Sequence, residues 1–146
     1  MSSACKIMFD GGSRGNPGLC GSGFVIYPHS MDNNNEASPI PIFSGCAVVS
    51  QNETNNFAEY MGAILAMKKA KELGYTHVHI YGDSKLVIYH LKKEWKCCEK
   101  LQPLLKDALN LLKNFDEYSL HHIRRKENKE ADKLANHAMD YYQNVK

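Results

Sequence analysis

No stretch of the sequence is apolar for the roughly 18 residues that a membrane-spanning helix requires, so no such helix and no membrane partner is expected. The first residues, Met1-Ser2-Ser3-Ala4-Cys5-Lys6, lack the charged-then-apolar pattern of a secretory signal. There are five cysteines, an odd number, with Cys97 and Cys98 adjacent and no Cys-x-x-Cys pair. That pattern speaks against both a disulfide framework and a thiolate metal site. A reducing intracellular compartment, cytoplasmic or nuclear, is therefore expected. Charge of one sign is also scarce: 18 Lys and Arg against 16 Asp and Glu leave a net +2. A polyanionic partner is permitted by that balance but not announced by it. No repeat recurs at a period that would indicate a solenoid. Tryptophan occurs once, as Trp95.

What is present is enough for one domain with a real core and too little for two, because the chain has 146 residues. A single domain spanning 1–146 is expected. Ala4 to Asp10 reads as a first strand, with Ile7 and Phe9 on one face. Gly11 to Gly18 reads as a turn, and Cys20 to Tyr27 as a second strand paired to the first. Pro28 to Pro39, with the run Asp32-Asn33-Asn34-Asn35-Glu36, reads as a hairpin loop, and Ile40 to Val49 as a third strand. A helix starts near Asn55 and stops at Gly74. Its stripe of Glu59, Gly62, Ala63, Ala66 and Ala70 is small enough for close approach to a sheet. His77 to Gly82 is a short strand, Asp83 to His90 a helix, and Leu101 to Phe115 a third helical pattern. Tyr118 to Ile123 is a fifth strand. Asn128 is suited to cap a last helix whose stripe is Ala131, Leu134, Ala135, Ala138 and Tyr142. The order predicts an α/β fold, a five-stranded mixed sheet flanked by helices.

Four acids stand out in that layout. Asp10 and Asp83 fall at the carboxyl ends of strands, where functional groups of open sheets gather. Glu59 and Asp132 lie near helix starts and can converge on them. Hard cations such as Mg²⁺ prefer carboxylate oxygens, and two cations roughly 3.5–4 Å apart can clamp both the attacking and leaving oxygens of a phosphodiester. Taken singly, each acid reads equally as a solvated charge or a helix cap. The glycine-rich segment after Asp10 reads as a turn, or as backbone that can approach a nucleic-acid strand closely. No Gly-Lys-Ser/Thr follows it, so it is no nucleotide phosphate loop. Lys92-Lys93-Glu94-Trp95-Lys96 either packs the end of the second helix or offers an aromatic ring beside lysines to a sugar or base.

The surroundings of the four acids resemble a known family. Phe9-Asp10-Gly11-Gly12-Ser13-Arg14-Gly15-Asn16-Pro17-Gly18 is similar to the first motif of type 1 ribonuclease H. Thr54-Asn55-Asn56-Phe57-Ala58-Glu59 is similar to the second, Tyr81-Gly82-Asp83-Ser84 to the third, and Glu127-Asn128-Lys129-Glu130-Ala131-Asp132-Lys133-Leu134-Ala135 to the fourth. The four stand in family order across nearly the whole chain. The resemblance implies a ribonuclease H-like fold and endonucleolytic hydrolysis of the RNA strand of RNA–DNA hybrids. It implies two Mg²⁺, with Mn²⁺ able to substitute, held by Asp10, Glu59, Asp83 and Asp132. It further implies that Ser13 and Asn16 lie along the RNA strand and that Asn55 and Asn56 reach the minor groove and its 2′-hydroxyls. Thr54 would hold a DNA phosphate, and Trp95 and Arg125 would contact the nucleic acid. Asn55 is equally a fair helix cap.

Three departures from the family pattern matter. No basic helical handle separates Trp95 from the third helix, which implies low processivity. Arg125 stands in the loop where many members have a histidine, since His121 and His122 belong to the strand before it. Lys85 stands where relatives often carry a glutamine. The reading is a monomeric enzyme with no obligate protein partner. A hybrid-binding module and the nuclease domain of a retroelement polyprotein are its alternatives; the starting Met1 and a last helix ending near Lys146 favour a free-standing protein.

Overall fold

Five strands form one mixed sheet in the order β3-β2-β1-β4-β5 in the computed structural model, which describes residues 2–31 and 36–145. They are β1 (Ala4–Arg14), β2 (Gly18–His29), β3 (Phe43–Glu53), β4 (His77–Gly82) and β5 (Glu117–His122). β1 pairs antiparallel with β2, and β2 with β3; β1 pairs parallel with β4, and β4 with β5. The helices are α1 (Asn55–Glu72), α2 (Lys85–Leu91), α3 (Gln102–Leu112) and α4 (Lys129–Val145). Short 3-10 turns occupy Glu99–Leu101 and Arg125–Glu127. The expected mixed α/β architecture is what forms. Residues 32–35 of the loop expected between the second and third strands lie outside the described residues.

The core follows the period-two alternation of the strands. Cys5, Ile7 and Phe9 of β1, Ile26 of β2 and Val78 and Ile80 of β4 are fully buried. α1 covers this face with Tyr60, Ala63, Ala66, Met67 and Ala70, and α2 and α3 add Val87, Ile88, Ala108 and Leu112. Each large side chain buried in this way contributes roughly 1.5–3 kcal/mol relative to exposure. α4 covers the opposite face: a side chain built on Gly11 would strike Ala58 of α1, whereas one on the next residue, Gly12, would meet Met139 of α4. Successive strand residues point to opposite faces, so the two helices sandwich the sheet. Burial pushes the Cys5 thiol up to about 12, so it stays protonated inside the core.

Several boundaries differ from expectation for physical reasons. The first strand does not end at Asp10 but runs to Arg14, with Gly11 to Arg14 paired to Ser22 to Leu19. The turn shrinks to Gly15, Asn16 and Pro17. The third strand begins at Phe43 rather than Ile40, because Pro39 and Pro41 supply no N–H for a ladder; Ile40 is 72% exposed. It continues past Val49 through the polar Ser50 to Glu53, since backbone pairing to β2 persists across an irregularity near Cys20. Of the two readings of Asn55, the cap does not hold, because Thr54 caps the helix. The Thr54 Oγ1 accepts from the Phe57 N–H at 3.2 Å, and Asn55 is already helical. Ser84 caps α2 through the Val87 N–H, which leaves Asp83 outside the helix. At Gly74, φ is +88°, the left-handed conformation that ends α1.

Candidate active site

The parallel ladder between β1 and β4 stops at the pair Phe9–Gly82, so the next residues, Asp10 and Asp83, leave the same edge side by side. α1 brings the third acid. Gly11 and Gly62 make this approach possible: a Cβ at Gly11 would lie 2.2 Å from the Ala58 carbonyl, and one at Gly62 would lie 2.6 Å from the Asp10 carbonyl oxygen. With hydrogen at both places, the start of α1 lies directly on β1. The hydroxyl of Ser22, on the neighbouring strand, donates to the Ala58 carbonyl at 2.7 Å and fixes the seat.

Asp10, Glu59 and Asp83 each offer a carboxylate oxygen within 4.8 Å of the others. Asp10 is 5% exposed and Glu59 8%. The Gly11 N–H is shared between Asp10 Oδ1 at 2.9 Å and Glu59 Oε1 at 3.2 Å. Glu59 Oε2 is buried and has no hydrogen-bond partner. Burial pushes the Asp10 carboxyl up to about 7, the neighbouring Glu59 carboxyl opposes that rise, and the Asp83 charge adds to it. Burial likewise raises Glu59 well above the carboxylate range, and the adjacent Asp10 reinforces the effect. Asp83 is raised by burial too, while the Asn128 amide and the Arg125 charge pull it back. Three acids raised by burial and by neighbouring acids, one with a buried oxygen that has no hydrogen-bond partner, form a cluster that could hold a cation. The donor set is all oxygen, which suits a hard divalent cation.

Asp132 lies on the first turn of α4 and lines the same cavity of about 350 Å³, outside the trio that meets within 4.8 Å. Its Oδ1 accepts from the Asn136 side chain at 3.4 Å, and its charge raises Asp83. Four acids therefore border one cavity, three of them converging within 4.8 Å and the fourth outside that trio.

The other expected contacts divide. Ser13, Asn55, Asn56 and Arg125 line the cavity. Asn55 Oδ1 accepts from the Ser13 N–H at 2.7 Å, and the Asn55 N–H donates to Asn16 Oδ1 at 3.1 Å. These two bonds lock the β1–β2 turn to the start of α1, so Asn16 and Asn55 carry structure as well. The Ser13 hydroxyl turns inward to the carbonyls of Glu53 and Gly15. Thr54 and Trp95 are not in the cavity wall. Trp95 stacks on Tyr89 at 5.0 Å and is 48% exposed, with the Lys92 ammonium 5.3 Å from the Tyr89 ring. Neither His121 nor His122 lines the cavity; His121 stacks on Tyr81 and bonds Ser119.

Three residues of the site escaped the sequence reading. Asn136 follows Asp132 by one helical turn, a spacing that could have flagged it. Arg14 lines the cavity and is paired to Asp140 at 2.7 Å across 126 positions, which no local pattern encodes. Asn128 sits where a helix cap was expected, and its backbone oxygen does accept the Asp132 N–H. Its side chain does something else: Nδ2 donates to the Phe9 carbonyl at 2.8 Å and to Asp83 Oδ2 at 3.3 Å.

A mixed sheet in this order, with acids at the end of its central parallel pair, places the protein in the ribonuclease H-like class of folds. A family model described as reverse transcriptase-like matches residues 8–138. The Ribonuclease HI of Halobacterium salinarum is 37% identical over 133 residues, covering 90% of this chain and 62% of that protein. A bifunctional protein of Mycobacterium tuberculosis is 38% identical over 137 residues, 92% of this chain and 35% of its own length. The solved N-terminal RNase H domain of that Mycobacterium tuberculosis protein superposes with a TM-score of 0.86 at 33% identity, over 99% of this chain and 100% of the domain. LC11-RNase H1, solved in complex with an RNA/DNA hybrid, superposes with a TM-score of 0.82 at 28% identity, over 95% of this chain and 99% of its own. The chain belongs to the type 1 ribonuclease H family. It spans about three-fifths and one-third of the two relatives just described. No helix among the described residues is long and apolar enough to cross a membrane, and all five cysteines are free.

Proposed function

We propose that residues 1–146 act as one catalytic domain that cuts the RNA strand of RNA–DNA hybrids endonucleolytically. The observation that carries this reading is the convergence of Asp10, Glu59 and Asp83 within 4.8 Å, with Glu59 Oε2 buried and unpartnered. Asp10, Glu59, Asp83 and, from the start of α4, Asp132 would hold two Mg²⁺, with Mn²⁺ able to substitute. When bound, such a pair supplies activation of the attacking water and neutralisation of charge on the departing 3′-oxygen.

The chain's own residues do the rest. The Gly11 N–H orients one oxygen each of Asp10 and Glu59 and leaves their partner oxygens for ligation. With its oxygen committed to Ser13, Asn55 has its amide NH₂ to offer a minor-groove acceptor, and Asn56 presents both ends of its amide. A group that both donates and accepts suits a 2′-hydroxyl, the feature that distinguishes RNA from DNA. Asn16 and Ser13 support that edge through the turn they lock. The Thr54 hydroxyl accepts from Phe57 and keeps its proton for a DNA phosphate oxygen. Arg125 supplies fixed positive charge at the cavity wall; it cannot serve as a base near neutral pH. The half-exposed Trp95, stacked on Tyr89 among lysines, extends the surface for the nucleic acid. The enzyme works as a monomer without an obligate protein partner, and its five free cysteines support a reducing compartment.

A cleavage panel tests this: hybrid, single-stranded RNA, double-stranded RNA and DNA duplex, each with Mg²⁺ and with chelator. Cleavage confined to the hybrid and to Mg²⁺ is expected. Equal cutting of single-stranded RNA, or cutting in chelator, overturns the reading.

A further inference from the structure

We propose that Asn128 is a positioning residue for Asp83, holding one carboxylate oxygen against the end of β1 so that the other is presented to the metal; this rests on reading Asp83 as a metal ligand. Asn128 is 1% exposed, at the junction of the Arg125–Glu127 turn and α4. Its amide reaches two oxygens from two strands, the Phe9 carbonyl at 2.8 Å and Asp83 Oδ2 at 3.3 Å. Phe9 is the last β1 residue paired to β4, and Asp10 follows it directly. The Asn128 backbone carbonyl accepts the Asp132 N–H at 3.1 Å. One residue thus touches the strand that carries Asp10, the carboxylate of Asp83 and the backbone of Asp132.

The orientation of the amide is fixed by its neighbours. Both groups opposite Nδ2 are acceptors, and turning the amide over would set three oxygens together. The consequence is that Asn128 Oδ1 is buried with no hydrogen-bond partner. A buried amide kept only for packing would have both ends satisfied or be replaced by carbon. Here one end goes without so that the other can bind the Asp83 carboxylate and the strand end at once. Partners that orient a ligand from behind in this way alter metal affinity or turnover by about 10–100-fold when removed.

The test uses Asn128→Asp, which keeps the shape but turns the donor into a like-charged acceptor, and Asn128→Ser, which removes the reach without adding charge. Asp83→Asn runs beside them. Three quantities are read: kcat and KM on a hybrid, the Mg²⁺ concentration for half-maximal rate, and the rise in melting temperature that Mg²⁺ alone produces. For Asn128→Asp, kcat is expected to fall about 100-fold and the half-maximal Mg²⁺ to rise about 10-fold, with KM for the hybrid within about twofold and a smaller Mg²⁺-induced rise in melting temperature. Asn128→Ser is expected to shift the same quantities the same way, less far, and keeps the test available if the aspartate variant does not fold. If both variants merely melt lower in chelator, with kcat, half-maximal Mg²⁺ and the Mg²⁺-induced rise all at parent values while Asp83→Asn loses them, Asn128 is structural only and the proposal is wrong. If Asp83→Asn itself keeps cleavage and the Mg²⁺-induced rise, the reading of Asp83 fails, and the proposal falls with it.

Discussion

Asp10 and Glu59 share a single hydrogen-bond donor, the Gly11 N–H, at 2.9 and 3.2 Å. Burial raises both carboxyls and the Asp10 charge raises Glu59 further, so the pair resists full ionisation.

Asp10→Asn tests that arrangement. The Asp10 carboxyl is raised from 3.8 to about 7, so in the metal-free protein its contribution to stability is full below pH 4 and is lost as pH rises through about 7. Removing one charge of a close pair relieves about 1 kcal/mol even in a water-like dielectric, which corresponds to roughly 4 °C in melting temperature for a domain of this size. The variant is expected to melt higher than the parent in chelator at pH 8, to show a flatter dependence between pH 4 and 8, and to lose cleavage. Melting curves across that range with and without Mg²⁺ decide; a variant that melts lower yet cuts at the parent rate removes Asp10 from the site.

The asparagine pair should separate binding from folding. Asn56 makes no side-chain hydrogen bond among the described residues, so Asn56→Ala should leave stability within about 0.5 kcal/mol. Its discrimination between hybrid and DNA duplex should fall by about 0.5–1.5 kcal/mol, one hydrogen bond. Asn55→Ala loses the Ser13 bond as well, so it should lower both. Competition binding and thermal melts on the two variants check the split. Equal effects on stability would mean that the Ser13–Asn55 lock is not what holds the turn.

Asp83 and Glu59 were legible in sequence because each sits where one local pattern meets another, whereas Asp10, inside β1, was marked by the glycines that follow it. A strand pattern ends and a turn or helix pattern begins at Asp83, and Glu59 opens the small-residue stripe of α1. What was not legible depends on long-range geometry. The Gly11–Gly12 pair reads as a turn because glycine favours turns, yet both residues stay in β1, since glycine there serves close packing of helices on the two faces. Asn128 reads as a cap because its residue type and position fit one, and only the fold shows that Phe9 and Asp83 lie within reach of its amide. Thr54 and Asn55 are both good cap residues, and one position of shift decides which side chain caps α1.

The histidines of β2, β4 and β5 should subtract from the stability that Asp10 gains as pH falls. The His79 ring lies tilted against that of His29, centroids 4.4 Å apart, and bonds Ser119 at 2.7 Å; His121 bonds the same hydroxyl and stacks on Tyr81, over which Lys6 lies. Burial lowers His79, and His29, His121 and His77 lower it further against an opposing pull from Glu117. Burial, Lys92 and Lys6 lower His121. Groups depressed in this way contribute stability that is present above the unfolded pKa of about 6.5 and is lost as pH falls through the folded value. In that range the histidines oppose the gain from the Asp10 carboxyl, so His79→Gln is expected to raise the melting temperature at pH 5 relative to that at pH 7 beyond the parent's difference. An unchanged difference in the variant would remove His79 from the pH dependence.

Gly11→Ala and Gly12→Ala, adjacent in sequence, should differ sharply. If Gly11-Gly12 were a flexible turn, each added methyl would cost about the same. In the strand, a Cβ at Gly11 falls 2.2 Å from the Ala58 carbonyl carbon and oxygen and 2.5 Å from the Glu59 nitrogen, all backbone, which cannot move aside without lifting α1 from β1. At Gly12 the nearest atom is the flexible tip of Met139 at 3.9 Å, an ordinary contact. Overpacking of the first kind costs typically about 1–3 kcal/mol. The second removes a glycine from a strand interior, where replacement is neutral or mildly favourable. Gly11→Ala also pushes Glu59 away from Asp10, so its Mg²⁺-induced stabilisation should shrink along with its metal-free melting temperature. Denaturant or thermal unfolding of the two variants, each with and without Mg²⁺, gives the answer. Equal losses in both would mean that α1 does not rest on β1 at Gly11, and the close approach that sets the Asp10–Glu59 pair would have to be abandoned.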